Sequence, residues 1–516
     1  MTDNNALSTS SRNNYTQSPS SRKHATTISE LRVLVILLSL IICSVLSMHL
    51  VTNSQGFIAY TLLLAGYLVA EIRNIFKQDP YLAWINPAVF ASLATFMLTF
   101  VFTNVLYFMP DNLVSLVGLQ PVITAWMNQL MFLVLLAACA MWIGYNSVAG
   151  RIISQTLQKS RLLHLCIAPS ENINKRAVIV FIIINLIARL WAIKLGWYGY
   201  SASTELLSSG ANFTEYFNIA DWIGKLVLLV VAIHYFSLSY PMVSDRTLLW
   251  LMLSYQVVFG LLSGMKSGVV VPFIIVAIAY YCQKNRFPLW VVPAVVASVF
   301  AAYTVIEPFR ASRNENAHFS GKSLGSIVST MTNVNKISEF ESTKVAPTWL
   351  SVLARLNLTY IASLGIEYAA NNKLPDDRPH FLRNILLAPA HAIVPRFLWN
   401  EKPLQQDGLW YTKRVLGVDV FSATAMSPFT YLNFAGGPLA VILGFLFVGI
   451  IQRGLFDGLR SFGTGGLIVF LGLLSTIGTI DNSFNTVIIG IIRYFPMLIV
   501  AQYVLMQHPN KSFHEK

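Results

Sequence analysis

Residues 122–145 have the sequence VITAWMNQLMFLVLLAACAMWIGY, which contains no Asp, Glu, Lys or Arg. A helix that crosses a bilayer needs about 20 predominantly apolar residues, and this run is long enough. In lipid, the backbone can satisfy its own hydrogen bonds only as a helix or a closed barrel. A continuous apolar run of this length therefore predicts a transmembrane helix.

The composition of the whole chain agrees with this stretch. Of its 516 residues, 55% are hydrophobic and only 11% are charged, whereas a soluble domain carries about 25% charged residues. The net charge of +13 fits Lys and Arg collected in cytoplasmic loops, so it does not indicate nucleic-acid binding. A second interpretation is that part of this excess faces an anionic substrate.

Similar apolar runs predict an all-α integral membrane protein with about twelve transmembrane helices. The predicted spans are 33–51, 56–75, 86–108, 122–145, 177–196, 219–238, 247–263, 268–283, 289–306, 429–451, 465–480 and 485–505. The spans 247–263 and 268–283 are short and are separated by the glycine-rich SGMKSG at 263–268. They are alternatively one long, broken hairpin.

Lys and Arg precede the first predicted span and follow the fourth, eighth and tenth, which places both termini in the cytoplasm of a bacterial inner-membrane protein. The polar start has no apolar core with a cleavage site, so we expect a cytoplasmic tail and not a signal peptide. The predicted parts are a disordered tail (1–30), helices 1–9 (31–306), a periplasmic loop (307–428), helices 10–12 (429–505) and a second cytoplasmic tail (506–516).

The large late periplasmic loop has the pattern of folded structure. Within 348–370, apolar residues recur at helical spacing beside a polar stripe; the two sets are Leu353, Leu356, Tyr360 and Leu364, and Arg355, Thr359, Ser363 and Glu367. The apolar run 384–398 is broken by two prolines, which predicts an interfacial or re-entrant segment. We therefore expect a helical cap on the membrane surface.

Ionisable residues at membrane depth are costly and are functional candidates. Arg189 and Arg493 fall inside predicted spans, and Lys266 falls in the turn between two others. Arg189 and Lys266 alternatively extend their charges to a nearby interface. For Arg493 the alternative is a structural salt bridge.

The ninth span ends with Glu307-Pro308-Phe309-Arg310, followed by Arg313. Proline is expected to stop the helix, which would place Arg310 at the outer surface. The planar guanidinium donates two parallel hydrogen bonds to a phosphate, so Arg310 is a candidate phosphate ligand. The alternative, stronger for Arg313, is an interfacial anchor.

No metal or cofactor site is predicted. Asp376-Asp377 is an acidic pair without an accompanying Asp-x-Asp motif, and Lys266 lacks the context of a phosphate-binding P-loop. His318, His380 and His391 are scattered, and each is a candidate base.

Several stretches together resemble the Wzy-type oligosaccharide repeat-unit (O-antigen) polymerases. They are residues 189–200, SGMKSGVVVP at 263–272, 307–310, PRFLWNEKP at 395–403 and SPFTYLNFAGGPLAVILG at 427–444. The resemblance implies a glycosyltransferase whose donor and acceptor are undecaprenyl-pyrophosphate-linked glycans, for O-antigen, capsule or exopolysaccharide. It implies no cofactor, and it suggests a chain-length regulator and a flippase as partners in the same membrane.

In this interpretation fixed cations stabilise the charge that develops on the leaving pyrophosphate. Arg310 is the predicted catalytic residue, with Glu307 as a base or as a group that orients Arg310. The predicted substrate-binding and pyrophosphate-binding residues are Arg189, Tyr198, Tyr200, Lys266, Arg313, Arg355, Arg396, Lys402 and Arg493. The alternatives are an O-antigen ligase with the same donor, and a flippase or transporter of the lipid-linked sugar. The large outer loop argues against a transporter.

Overall fold

The computed structural model describes residues 52–117, 122–167, 172–199, 214–315, 347–371, 380–394, 407–418, 426–479 and 483–507, with a few short pieces between them. For 214–220 and most of 301–315 it describes the backbone without the side chains. The first tail, the predicted span 33–51, Tyr200, His318, Asp376-Asp377 and Arg396 lie outside the described residues, as does nearly all of the last tail.

All regular secondary structure in these ranges is helical, which confirms the predicted all-α class. The helices, besides a 3-10 turn at Ala83–Ile85, are α1 Asn53–Gln78, α2 Pro87–Phe108, α3 Asp111–Ser115, α4 Ala125–Asn146, α5 Val148–Gln158, α6 Arg161–Cys166, α7 Lys175–Lys194, α8 Thr214–Ser237, α9 Val243–Leu262, α10 Lys266–Lys284, α11 Val291–Glu315, α12 Thr348–Leu356, α13 Thr359–Ala370, α14 Phe381–Leu386, α15 Ala388–Ile393, α16 Asp407–Arg414, α17 Pro428–Arg460, α18 Gly463–Gly478 and α19 Phe484–Leu505.

Within the described part, eight helical segments are long and apolar enough to cross a membrane, which is compatible with a multi-pass membrane protein. They are α1, α2, α4, α7, α10, α17, α19 and the segment Trp349–Ala370. The helices α8, α9, α11 and α18 also coincide with predicted spans but are not among the eight. The predicted number of about twelve spans is therefore not confirmed.

The segment 348–370 forms two helices, not the single helix predicted from its periodicity. Between them, the Asn357 side-chain amide donates to Thr103 Oγ1 at 3.2 Å and to Asn104 Oδ1 at 3.3 Å. Its carbonyl oxygen accepts from the Tyr107 hydroxyl at 3.1 Å. These bonds to α2 accompany an extended backbone at Asn357, which interrupts the helix.

The second of these helices, α13, packs against α4 and α17. Thr430 at the start of α17 donates to the Ala362 carbonyl at 3.2 Å, and the Tyr411 hydroxyl donates to the Ile361 carbonyl. Since the segment is also long and apolar enough to span, the predicted surface cap is not confirmed here.

A further prediction, that a helix ends at Pro308, is wrong. The helix α11 continues through Pro308 to Glu315, because a proline removes one N–H and bends a helix without always ending it. The helix α17 continues to Arg460, beyond the predicted end of its span at 451. It is also kinked at Gly436-Gly437; Gly437 has φ 68° and ψ −161°, a conformation open almost only to glycine.

Ion pairs join helix ends that lie far apart in sequence. Lys175 Nζ at the start of α7 lies 2.6 Å from Asp245 Oδ1 at the start of α9. Arg460 Nη1 at the end of α17 lies 3.2 Å from Asp79 Oδ2 just after α1. The start of α7 therefore lies at the same level as the start of α9, and the end of α17 at the level of the end of α1.

The helices α4 and α17 cross with their backbones in contact. A Cβ atom added to Gly144 would overlap the Leu446 carbonyl, and one added to Gly449 would overlap the Met141 carbonyl. Small residues allow this approach in membranes, where packing replaces the hydrophobic effect as the main force between helices. This crossing forms part of the protein core, where Trp142 is fully buried.

Candidate functional site

Arg189 lies near the end of α7 with only 3% of its side chain exposed. Its Nη2 donates to Asp221 Oδ1 in α8 at 2.5 Å and to Gln256 Oε1 in α9 at 2.7 Å. A buried charge is stable only when it is paired and hydrogen-bonded. Three helices therefore meet on one guanidinium.

Two aromatic rings hold the same guanidinium by cation–π contact. The Arg189 Cζ atom lies 4.9 Å from the ring centroid of Tyr255 and 5.1 Å from that of Phe259. The Tyr198 hydroxyl donates to the Phe259 carbonyl at 3.0 Å, which ties the segment after α7 to α9. We refer to Arg189, Asp221, Tyr255, Gln256 and Phe259 as the Arg189 network.

The network has unused donors. Nε and Nη1 of Arg189 are buried and have no hydrogen-bond partner among the described residues, although buried polar groups are normally paired. Asp221 is shared with a second cation, because Lys225 Nζ lies 2.9 Å from Asp221 Oδ2. Two cations against one carboxylate leave a net positive charge that suits an anion.

An apolar groove of about 840 Å³ borders the network on the outside of α7 and α9. Tyr255 and Phe259 belong to both the groove and the network. The remaining lining residues are Ile182, Leu186, Val243, Arg246, Thr247, Trp250, Leu251, Ser254 and Val258.

A second basic group surrounds the short helix α15. Arg493 Nη2 of α19 donates to the His391 carbonyl at 3.4 Å, and Lys402 Nζ donates to the Val394 carbonyl at 3.1 Å. The ring of Trp399 lies 5.2 Å from the His391 ring. We refer to His391, Trp399, Lys402 and Arg493 as the His391 cluster.

His391 is the neutral member of this cluster. Burial lowers the pKa of its imidazole, and the nearby charge of Lys402 lowers the pKa further. Nε2 of His391 is buried without a hydrogen-bond partner among the described residues. The cluster therefore places an uncharged imidazole beside two basic side chains, Lys402 and Arg493.

A stacked aromatic pair connects the two groups. The rings of Trp222 in α8 and Tyr494 in α19 are 4.7 Å apart and nearly parallel, with an interplanar angle of 11°. Trp222 follows Asp221 of the Arg189 network, and Tyr494 follows Arg493 of the His391 cluster. The stack therefore places α8 beside α19, next in sequence to Asp221 on one helix and to Arg493 on the other.

Comparison with protein families places these groups in a common domain. Residues 171–509 match the family described as "Domain of unknown function (DUF8712)". The chain belongs to this family. The DUF8712 match begins just before α7 and ends just after α19, so it contains both the Arg189 network and the His391 cluster. No curated protein and no solved structure matches the chain.

The structure brings some of the predicted site residues of the DUF8712 domain together. Arg189 lies in the network and Tyr198 donates to the carbonyl of its member Phe259, while Lys402 and Arg493 share the cluster. Lys266 is the first residue of α10 and is half-buried, whereas Arg355 is exposed in the last turn of α12.

The roles of the remaining predicted site residues stay predictions. Glu307, Arg310 and Arg313 lie on the backbone of α11, and their side chains are outside the description. Arg396 and Tyr200 lie outside the described residues altogether.

The partners of Arg189 were not predicted. Asp221 and Gln256 are polar residues within predicted spans, a signal that marks them as candidates at membrane depth. Another missed residue is Asp407 in α16, only 6% exposed, for which the sequence offers no comparable signal because it lies in a polar loop.

Proposed function

We propose that this protein is a polymerase of undecaprenyl-pyrophosphate-linked oligosaccharide repeat units for a bacterial surface polysaccharide. It lies in the inner membrane with both termini in the cytoplasm, and it transfers glycans on the periplasmic face. The orientation rests on the positive-inside rule. The starts of α7 and α9 and the ends of α1 and α17 are then cytoplasmic, and the Arg189 network lies toward the periplasm.

One observation carries the proposal: the Arg189 network and the His391 cluster are joined through the Trp222–Tyr494 stack. A pyrophosphate has several anionic oxygens and needs more than one cation. Nε and Nη1 of Arg189 have no hydrogen-bond partner among the described residues, and Arg493 and Lys402 belong to the cluster on the other side of the Trp222–Tyr494 stack. Such preorganised cations stabilise charge best in a site that excludes water.

The groove beside the network supports the proposal that the donor is linked to a lipid. It is lined largely by apolar residues, and Tyr255 and Phe259, whose rings contact the Arg189 guanidinium, are among them. A polyprenyl chain lying in the groove would have its pyrophosphate close to the guanidinium. The burial of each CH₂ group contributes about 0.8 kcal/mol, so a long chain gains much from such a groove.

The reaction forms one bond and breaks one. The acceptor hydroxyl oxygen bonds to the anomeric carbon of the donor glycan while the C–O bond to the pyrophosphate breaks. The electron pair goes to the lipid pyrophosphate, and the acceptor proton goes to a base. Arg310 remains a proposed catalytic residue. Glu307 beside it is expected to orient the arginine, because an adjacent cation lowers a carboxyl pKa and weakens the base.

A transporter of the lipid-linked glycan is the second candidate, and the break in α17 favours it. Gly436 and Gly437 interrupt this long helix with non-helical dihedral angles. Interrupted helices are typical of secondary transporters, where they line the substrate site.

The test is deletion of the gene followed by gel analysis of the surface polysaccharide. A polymerase predicts that the ladder disappears while a single repeat unit still reaches the surface. Loss of the single unit as well would indicate a flippase or a ligase and would overturn the proposal.

Complementation then tests the site. Arg493→Ala should reduce polymer roughly ten- to a hundredfold, because about 1.5–3 kcal/mol of interaction with a charged group is lost. Arg493→Lys should restore part of the lost polymer. Arg383→Ala is the matched control, since Arg383 is an exposed arginine of α14 on the same segment as His391. Equal ladders from Arg493→Ala and wild type, at equal protein level, would remove the cluster from the site.

A further inference from the structure

Asp407 is a buried carboxylate outside the two basic groups. It is the first residue of α16, and only 6% of it is exposed. Within the described part of the chain its carboxylate makes no hydrogen bond and no ion pair. Its charge acts on the buried hydroxyl of Tyr431 in α17. Burying a charged carboxylate without a partner costs free energy, and binding of a ligand or a proton would lower that cost.

Aromatic side chains surround Trp410, which lies on the same short helix as Asp407. Trp410, one helical turn after Asp407, packs edge-on against Phe381 and Phe434 at centroid distances of 5.7 Å and 5.8 Å. Tyr368 of α13 lies 6.1 Å from the Trp410 ring. The Trp410 indole nitrogen has no hydrogen-bond partner among the described residues. Trp410 and Tyr368 are half-buried, so their rings retain exposed surface.

We propose that Asp407 and the rings of Trp410 and Tyr368 form the acceptor-sugar site, and that Asp407 is the base of the transfer. This inference rests on the proposed polymerase function. A sugar presents C–H faces that stack on aromatic rings and hydroxyls that bond to polar groups. The indole N–H donates to one sugar oxygen, and the carboxylate accepts the proton of the attacking hydroxyl.

The proposed acceptor site lies at a suitable distance from the cations that would bind the donor pyrophosphate. Phe381 begins α14, and its ring contacts Trp410, Tyr431 and Phe434. His391 of the cationic cluster follows in α15. About ten residues of nearly continuous helix separate them, which corresponds to roughly 15 Å. An acceptor glycan held at the rings would extend toward the pyrophosphate bound by Arg493 and Lys402.

The acidity of Asp407 agrees with this role. Burial raises its carboxyl pKa to about 6. The titratable group that it faces across the contact with α17 is Tyr431. A base with a pKa near the working pH is both ionised and basic enough to accept a proton efficiently. The proton leaves Asp407 for water after the product departs.

The experiment uses the full-length protein in detergent with a defined undecaprenyl-pyrophosphate-linked repeat unit as donor and acceptor. Asp407→Asn keeps the shape but accepts no proton, so the rate should fall at least about a hundredfold, the lower value for general base catalysis. Donor binding, measured by tryptophan fluorescence, should be unchanged. The wild-type rate should rise with pH through about 6, and this rise should be absent from the residual rate of Asp407→Asn.

Glu367→Gln is the control, because Glu367 is a half-buried carboxylate one residue before Tyr368. It should polymerise at the wild-type rate. A wild-type rate for Asp407→Asn would overturn the inference. Loss of donor binding or of folding in that variant would overturn it as well. Each of these results would leave the proposed polymerase function standing. A wild-type protein that makes no polymer would instead reject the proposed function.

Discussion

At the scale of single residues, Arg189 shows how a buried charge is stabilised. The guanidinium has a carboxylate, an amide and two aromatic rings around it, each from a different position in α8 or α9. A cation at such depth marks a functional candidate. Among the residues that the structure describes, its Nε and Nη1 have no hydrogen-bond partner, which leaves donors for an anion.

Asp407 is the opposite case, a charge without a described partner. Its raised pKa means that the folded protein binds this proton more tightly than the unfolded chain. The stabilising contribution is therefore complete below the unfolded pKa and is lost as the pH rises through about 6. The rise from 3.8 to about 6 corresponds to roughly 3 kcal/mol of destabilisation at neutral pH.

Asp407→Asn should therefore raise the free energy of unfolding at pH 7.5, by up to roughly 3 kcal/mol, because the amide carries no charge to bury. Near pH 4 the two proteins should be almost equally stable. Thermal unfolding in detergent at both pH values measures this. A variant less stable than wild type at pH 7.5 would show that the carboxylate has a stabilising partner.

At the scale of helices, α17 combines a kink with a close crossing. Its glycines at 436 and 437 break the helix near its start, and Gly449 allows contact with the α4 backbone further on. The apolar pattern of the sequence predicted a helix here but not these two features. The kink depends on the backbone conformation of two adjacent glycines, and the crossing depends on the α4 backbone that lies opposite Gly449.

Gly449→Ala should destabilise the protein by about 1–3 kcal/mol or more, because the new methyl group would overlap the Met141 carbonyl and force two helices apart. The measurement is thermal stability in detergent together with the yield of folded protein. Gly66→Ala in α1 is the matched control, since nothing lies within 4 Å of the added Cβ. It should be neutral or stabilising by up to about 1 kcal/mol. Equal behaviour of both variants would contradict the close crossing.

At the scale of the whole molecule, the ion pairs and the distribution of charges along the sequence indicate the same relative direction of the helices. The contacts Lys175–Asp245 and Arg460–Asp79 join helix ends that the charge pattern assigns to a single compartment. At the other ends of the helices, hydrogen bonds join Asn357 to α2. The relative direction of these helices is thus consistent with the predicted alternation, while the compartment itself is a proposal from the positive-inside rule.

Reporter fusions test that orientation. Fusions after residues 160, 285 and 461 should give a cytoplasmic signal, and a fusion near residue 345 should give a periplasmic one. The first three positions follow or lie between helices and avoid the interior of α17. A cytoplasmic signal at 345 would reverse the orientation and place both candidate sites in the wrong compartment.

The sequence by itself determined the helical class, the location of most helices and the candidacy of Arg189 and Arg493. It could do so because hydropathy is a local property, summed over about 20 consecutive residues. A single charge inside such a run is visible without any knowledge of its neighbours.

Only the tertiary structure decided which residues act together. Asp221 and Gln256 reach Arg189 from other helices, and the rings of Trp222 and Tyr494 bring α8 and α19 into contact. No periodicity encodes such pairings, because they depend on how helices pack across hundreds of residues of sequence. Asp407 resembles any loop carboxylate in the sequence, and only its burial in the folded protein raises its pKa.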